Sequence, residues 1–98
     1  MNALEFINEV GNTIQERGEQ YGPIRENVDR IAAFVWLMTG KPVEPLLVVK
    51  VLMAVKLSRL AQDDHHLDSV IDTAGYSAIW AELITERANA LKDQPTGV

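Results

Sequence analysis

An all-α fold, a bundle of four helices, is what this 98-residue sequence predicts. Apolar residues recur at spacings of three and four through most of the chain, and no stretch keeps the strict alternation of a half-buried strand. Two clusters of glycine and proline and one short polar link cut that pattern into four pieces.

The first helix is expected from about Ala3 to Arg17, with Leu4, Ile7, Val10 and Ile14 on one face and Gly18 as its left-handed cap. Gly18 to Pro23 then reads as a turn. Pro23 suits the first turn of a second helix, which places Ile24, Val28, Ile31, Val35 and Met38 inward and stops at Gly40. Its outer face carries the i,i+4 pairs Arg25 to Asp29 and Glu26 to Arg30. Lys41 to Pro45 is the second breaker, and Pro45 opens a third helix reaching about Gln62. Leu46, Leu47, Val48, Val49, Val51, Leu52, Met53, Val55, Leu57 and Leu60 cover nearly its whole circumference. A helix apolar all round has to be covered on all sides, which a small four-helix chain cannot do alone. The sequence therefore predicts a homo-oligomer in which a partner subunit covers part of the third helix. Asp63-Asp64-His65-His66 forms the polar link to a fourth helix from about Leu67 to Lys92, with Val70, Ile71, Ala74, Ala78, Ile79 and Leu83 apolar. The whole is one domain, residues 1–98, whose tail from Asp93 to Val98 is expected to fray.

Composition excludes several functions. Fourteen acidic against nine basic residues give a net charge of −5, which disfavours broad binding to nucleic acid or to an anionic membrane. The absence of cysteine removes disulfides, thiolate nucleophiles and cysteine-based zinc sites. The start lacks a basic, then apolar, leader pattern, and the longest uncharged apolar run, Ile31 to Met38, is far short of a bilayer span. A cytosolic, soluble protein is expected.

The third and fourth helices form a hairpin centred near residue 64, so antiparallel packing sets side by side residues whose numbers add up to about 128. Lys56 then lies opposite Asp72, and Arg59 opposite Asp68 or Ser69. Asp68, Asp72 and Tyr76 share one face of the fourth helix. Two cations facing two carboxylates inside an otherwise apolar helix pair have a plain use as register-fixing ion pairs. They also suit a phosphate carried by a divalent metal, the carboxylates holding Mg²⁺ and the cations neutralising phosphoryl oxygens. Among other candidates, Glu16-x-x-Glu19 has metal-motif spacing but is interrupted by Gly18. Asp63-Asp64-His65-His66 reads as a polar turn, with His66 near a positive helix N-terminus where it can reach a phosphate. Of Tyr21, Trp36, Tyr76 and Trp80, any could stack on a base; Trp36 is expected in the core, and Tyr21, in a turn, has fewer structural reasons to exist.

Tyr21-Gly22 with Asn27, then Lys56-x-x-Arg59, then His66-x-Asp68-Ser69-x-x-Asp72-x-Ala74-Gly75-Tyr76 resemble small phage proteins of the MazG-like, all-α NTP pyrophosphatase superfamily, nearest the phage nucleotide-modification-associated branch. The resemblance spans roughly Glu16 to Leu83, and the Asp-Ser-x-x-Asp-x-Ala-Gly-Tyr string is its most specific part. It implies a helical bundle assembled as a dimer or tetramer in the host cytoplasm. The activity implied is Mg²⁺-dependent cleavage of a (d)NTP to a (d)NMP and pyrophosphate. On that reading Asp68 and Asp72 hold the metal and do the catalytic work, with Glu16 or Glu19 completing the metal site. Lys56, Arg59, His66, Tyr76, Tyr21 and Asn27 bind the nucleotide. The sequence departs from the family pattern: Lys56 and Arg59 stand where catalytic members carry an acidic pair, and Ser69 stands in place of a glutamate. Two further readings follow from that departure, a non-catalytic protein that sequesters a nucleotide or nucleotide second messenger, and a purely structural oligomer.

Overall fold

The computed structural model describes residues 1–92, and they form four helices with no strand among them: α1 Ala3–Tyr21, α2 Ile24–Thr39, α3 Pro45–Gln62 and α4 Leu67–Lys92. The expected frayed tail lies outside the described residues. α3 and α4 make the most extensive pairing, α1 lies along α4, and α2 packs on α3. No helix is long and apolar enough to cross a membrane, among the described residues.

α1 differs from expectation. It runs through Gly18 to Tyr21, and the cap is Gly22, at φ 83°, whose N–H donates to the Gly18 carbonyl. Gly22 meets the demand for positive φ at no steric cost, and Pro23 after it cannot extend the helix, so the stop falls one turn beyond Gly18. At the other end the Asn2 side chain accepts the Glu5 N–H at 2.8 Å. Gly40, at φ 74°, caps α2 as expected, and Pro45 opens α3.

The core is small: Val28, Ala32, Val48, Val49 and Ile79, with Ile24, Ile31, Val43, Leu52, Met53, Tyr76, Trp80 and Leu83 packed around them. Several residues expected inward are exposed, namely Leu4 and Ile7 of α1, Met38 of α2, and Val70 and Ala78 of α4. Trp36, expected in the core, is exposed as well. α3 buries only Val48 and Val49 and leaves Leu47, Val51, Val55 and Leu57 about half exposed.

Candidate functional site

Asp72 is the centre of the site. One of its oxygens, Oδ2, accepts from Lys56 Nζ at 3.0 Å, so the hairpin register expected from the sequence places these two residues together. A second cation reaches Asp72 from α1: Arg17 Nη1 donates to Oδ1 at 2.6 Å. The carboxylate side chain is 13% exposed, Lys56 20% and Arg17 49%, so the pair with Lys56 is sheltered while the guanidinium reaches water. Burial alone would push the Asp72 carboxyl up; hydrogen bonds from Arg17 and Lys56, with their charges, outweigh it and hold the group below its ordinary value. Arg17 is raised in turn, first by its hydrogen bond to Asp72, against the opposing effect of burial, and further by the fields of Asp72, Tyr76 and Asp68. Asp68, Asp72 and Tyr76 thus do share one face, and that face looks toward α1.

The cleft beside this group follows from α1. Its volume is about 410 Å³, and α1 lines it with Val10, Ile14, Arg17 and Tyr21, a stripe at spacings of four, three and four, with Thr13 beside it. Ile71, Asp72, Gly75 and Tyr76 of α4 form the opposite wall, and Gly22, Ile24 and Asn27 close one end. Gly75 is buried here, with Ile14 Cγ1 the nearest atom to where a Cβ would stand, at 3.9 Å.

Of the nucleotide-binding residues expected, Tyr21, Asn27 and Tyr76 line this cleft, and Tyr21 is 77% exposed at it. Lys56 stands behind Asp72. Arg59 is exposed, and the expectation that it meets Asp68 gives no ion pair among the described residues. His66 turns its Nδ1 to the Ser69 Oγ at 2.7 Å and to the Ser69 N–H at 3.3 Å. It closes the first turn of α4 and holds the buried Ser69, which is a capping role. The link before it is the polar turn expected, the Asp63 side chain accepting from the His65 N–H at 3.0 Å.

The expected metal set does not assemble. Glu16 and Glu19 are exposed and fall off the α1 stripe that meets α4, and Glu19 borders a separate, shallower hollow with Arg25 and Glu82. No group of three or more histidines and carboxylates that could hold a metal occurs among the described residues. Both oxygens of Asp72 are committed to cations. These residues do not fit a carboxylate-held Mg²⁺.

Sequence reasoning did not single out Arg17. The signal was present, since Val10, Ile14, Arg17 and Tyr21 continue one helical stripe, but ending α1 at Arg17 hid it.

The fold and site define a four-helix protein with a sheltered carboxylate clasped by two cations at the wall of a largely apolar cleft. Comparison places it further: the chain belongs to the family described as "Domain of unknown function (DUF6378)", matched over residues 5–84. It is 33% identical over 81 residues to the Gene 55 protein of Mycobacterium phage L5, covering 81% of this chain and 50% of that protein. The chain therefore spans about half the length of that curated relative. No solved structure matches it.

Proposed function

We propose that this chain binds a nucleotide in the cleft between α1 and α4, with phosphate at Arg17 and base against the tyrosines, and does not hydrolyse it. The observation that carries the reading is the half-exposed Arg17 guanidinium on the wall of a cleft that also holds Tyr21, Tyr76 and Asn27. Asp72 takes one donor of Arg17 and leaves the rest of the fork for phosphoryl oxygens. A tyrosine stacked on a base contributes about 1–3 kcal/mol, and the Asn27 amide can both donate to and accept from a base edge. The cleft volume of about 410 Å³ suits a ligand of this size, since small-molecule sites run from about 300 to 1,000 Å³.

The resemblance to MazG-like pyrophosphatases favours Mg²⁺-dependent cleavage of a (d)NTP, but that chemistry needs several carboxylates round the metal. Asp68 and Asp72 are the acids on the right face, and Asp72 is already neutralised by two cations. Binding without turnover asks less of these residues and suits sequestration of a nucleotide or nucleotide second messenger. The likeness to a phage protein fits such a role in an infected host's cytoplasm.

A thermal-shift screen of NTPs, dNTPs and cyclic nucleotides, with and without Mg²⁺, tests this. A ligand at 100 times its Kd should add about 2.7 kcal/mol of stability, and Arg17→Ala should remove most of that gain. Absence of any shift at millimolar nucleotide refutes binding. Pyrophosphate release abolished by Asp72→Asn would restore the hydrolase in its place.

A further inference from the structure

The α1–α4 cleft limits how much negative charge its ligand can bring, a limit that rests on the nucleotide-binding reading above. Arg17 and Asp72 are the charged residues among those that line it. Arg17 meets Oδ1 of Asp72 at 2.6 Å from the cleft, and Lys56 meets Oδ2 at 3.0 Å from behind. Two cations on one carboxylate leave the cluster with a single net positive charge. Without Lys56 the wall is neutral, because Asp72 then cancels Arg17. Asp68 lowers the balance further, since its field also reaches Arg17.

The anchor point is narrow as well. α1 and α4 run antiparallel here: Arg17 meets Asp72, while Ile14 lies against Gly75. In that register Tyr76 lies across from Thr13, one turn before Arg17, and Tyr21 stands one turn after it. Each tyrosine is thus about 6 Å along the helix axis from Arg17. Val10, Ile14 and Ile71 make much of the remaining wall apolar. One phosphate fits at Arg17 between the two tyrosines. A longer phosphate chain runs along apolar wall with no further cation lining the cleft, and a charge left unpaired there is costly.

We infer that the cleft selects a nucleoside carrying one phosphate group, a 5′-monophosphate or a cyclic monophosphate, over a di- or triphosphate, and that Lys56 sets this limit from behind Asp72 without touching the ligand. Lys56 is a positioning residue: by neutralising Asp72 it leaves the Arg17 charge available to the phosphate.

The test is isothermal titration calorimetry on the full chain with adenosine and guanosine series, each as nucleoside, 5′-monophosphate, 3′,5′-cyclic monophosphate and 5′-triphosphate, in EDTA and in Mg²⁺. For at least one base, a single phosphate should tighten binding about 10-fold or more over the nucleoside, and the triphosphate should bind no tighter than the monophosphate in either buffer. The tighter of the 5′-monophosphate and the cyclic form identifies the source. Lys56→Met should weaken the phosphate-bearing ligand on the order of 10-fold and leave the nucleoside unchanged. Lys56→Met combined with Asp72→Asn returns the cluster to one net charge and should restore the affinity. Should Lys56→Met lose its helical circular dichroism, Asp72→Asn alone replaces it: with two net charges the triphosphate should gain on the monophosphate. A triphosphate that binds wild type about 10-fold tighter than the monophosphate overturns the inference and leaves nucleotide binding standing. So does a phosphate contribution that neither Lys56→Met nor Asp72→Asn alters. If none of the series binds at millimolar concentration, the binding reading itself falls and this inference with it.

Discussion

Replacing Asp72 by alanine tests how the two cations are held. At 3.0 Å and an effective dielectric constant of about 20, the attraction between Lys56 and Asp72 is about 5 kcal/mol before desolvation removes most of it. Breaking a fully buried pair costs about 3–5 kcal/mol, and breaking an exposed one about 0–1. Here Lys56 keeps 20% of its surface in water and Arg17 keeps 49%, so the loss falls between those limits. We expect Asp72→Ala to cost about 2 kcal/mol, nearly all of it from stranding Lys56. Lys56→Met preserves the aliphatic packing and leaves Asp72 with Arg17, so its cost should be no more than about 1 kcal/mol. The double variant then strands nothing, and its cost should fall short of the sum by about 2 kcal/mol.

Urea unfolding followed by circular dichroism, at one fixed protein concentration because association shifts the midpoint, measures all four corners of the cycle. In thermal terms Asp72→Ala should lower Tm by roughly 8–16 °C, taking about 4–8 °C per kcal/mol for a domain of this size. A loss under about 0.5 kcal/mol, or strict additivity, would show that the carboxylate is not a sheltered anchor.

Further outcomes concern pH, ligand contacts and glycines. The folded-state pKa of Asp72 lies below its ordinary value of 3.8, so its stabilisation is complete above that value and is lost as pH falls from there through the folded pKa. Acid titration of stability should show this loss in the wild type and a shallower one in Asp72→Asn. Tyr21→Ala, at an exposed position, should weaken nucleotide binding by roughly 10-fold, about 1.4 kcal/mol, while the ligand-free melting temperature stays unchanged. Gly75→Ala should be neutral or stabilising by up to about 1 kcal/mol, since the new Cβ meets Ile14 Cγ1 only at 3.9 Å. Gly22→Ala should cost about 1 kcal/mol or more, because φ there is 83°; urea midpoints decide both.

How far the sequence could be read depended on whether the deciding interaction was local. The bounds of α3 and α4 follow from Pro45, the polar link and unbroken periodicity, and the rise per residue alone brings Lys56 to Asp72. The end of α1 turned on a choice between two glycines, Gly18 and Gly22, and only the chain geometry at Gly22-Pro23 settles it. Ending α1 at Gly18 leaves Tyr21 in a turn and makes Arg17 a terminal residue, so neither is placed on the stripe that meets α4. The depth of burial was also hard to foresee. Periodicity names the apolar face of each helix, but whether Leu4, Ile7 or Met38 finds a neighbour depends on where the other helices stop.

The most specific string in the sequence has a physical account residue by residue. Ser69 is buried and held by His66 at the start of α4; one turn on, Asp72 faces outward from that anchored turn into the two cations. Gly75 is buried beside Ile14, whose Cγ1 would stand 3.9 Å from an added Cβ, and Tyr76 then supplies an aromatic wall to the cleft. A string needed only for packing would require the serine, a small residue at position 75 and an apolar residue at position 76. Fixing the register of the α3–α4 hairpin would require one ion pair, Lys56 with Asp72, and not a second cation from α1. A register-fixing ion pair accounts for Lys56 and Asp72; the proposed ligand would account in addition for Arg17, half of which is left in water at the cleft.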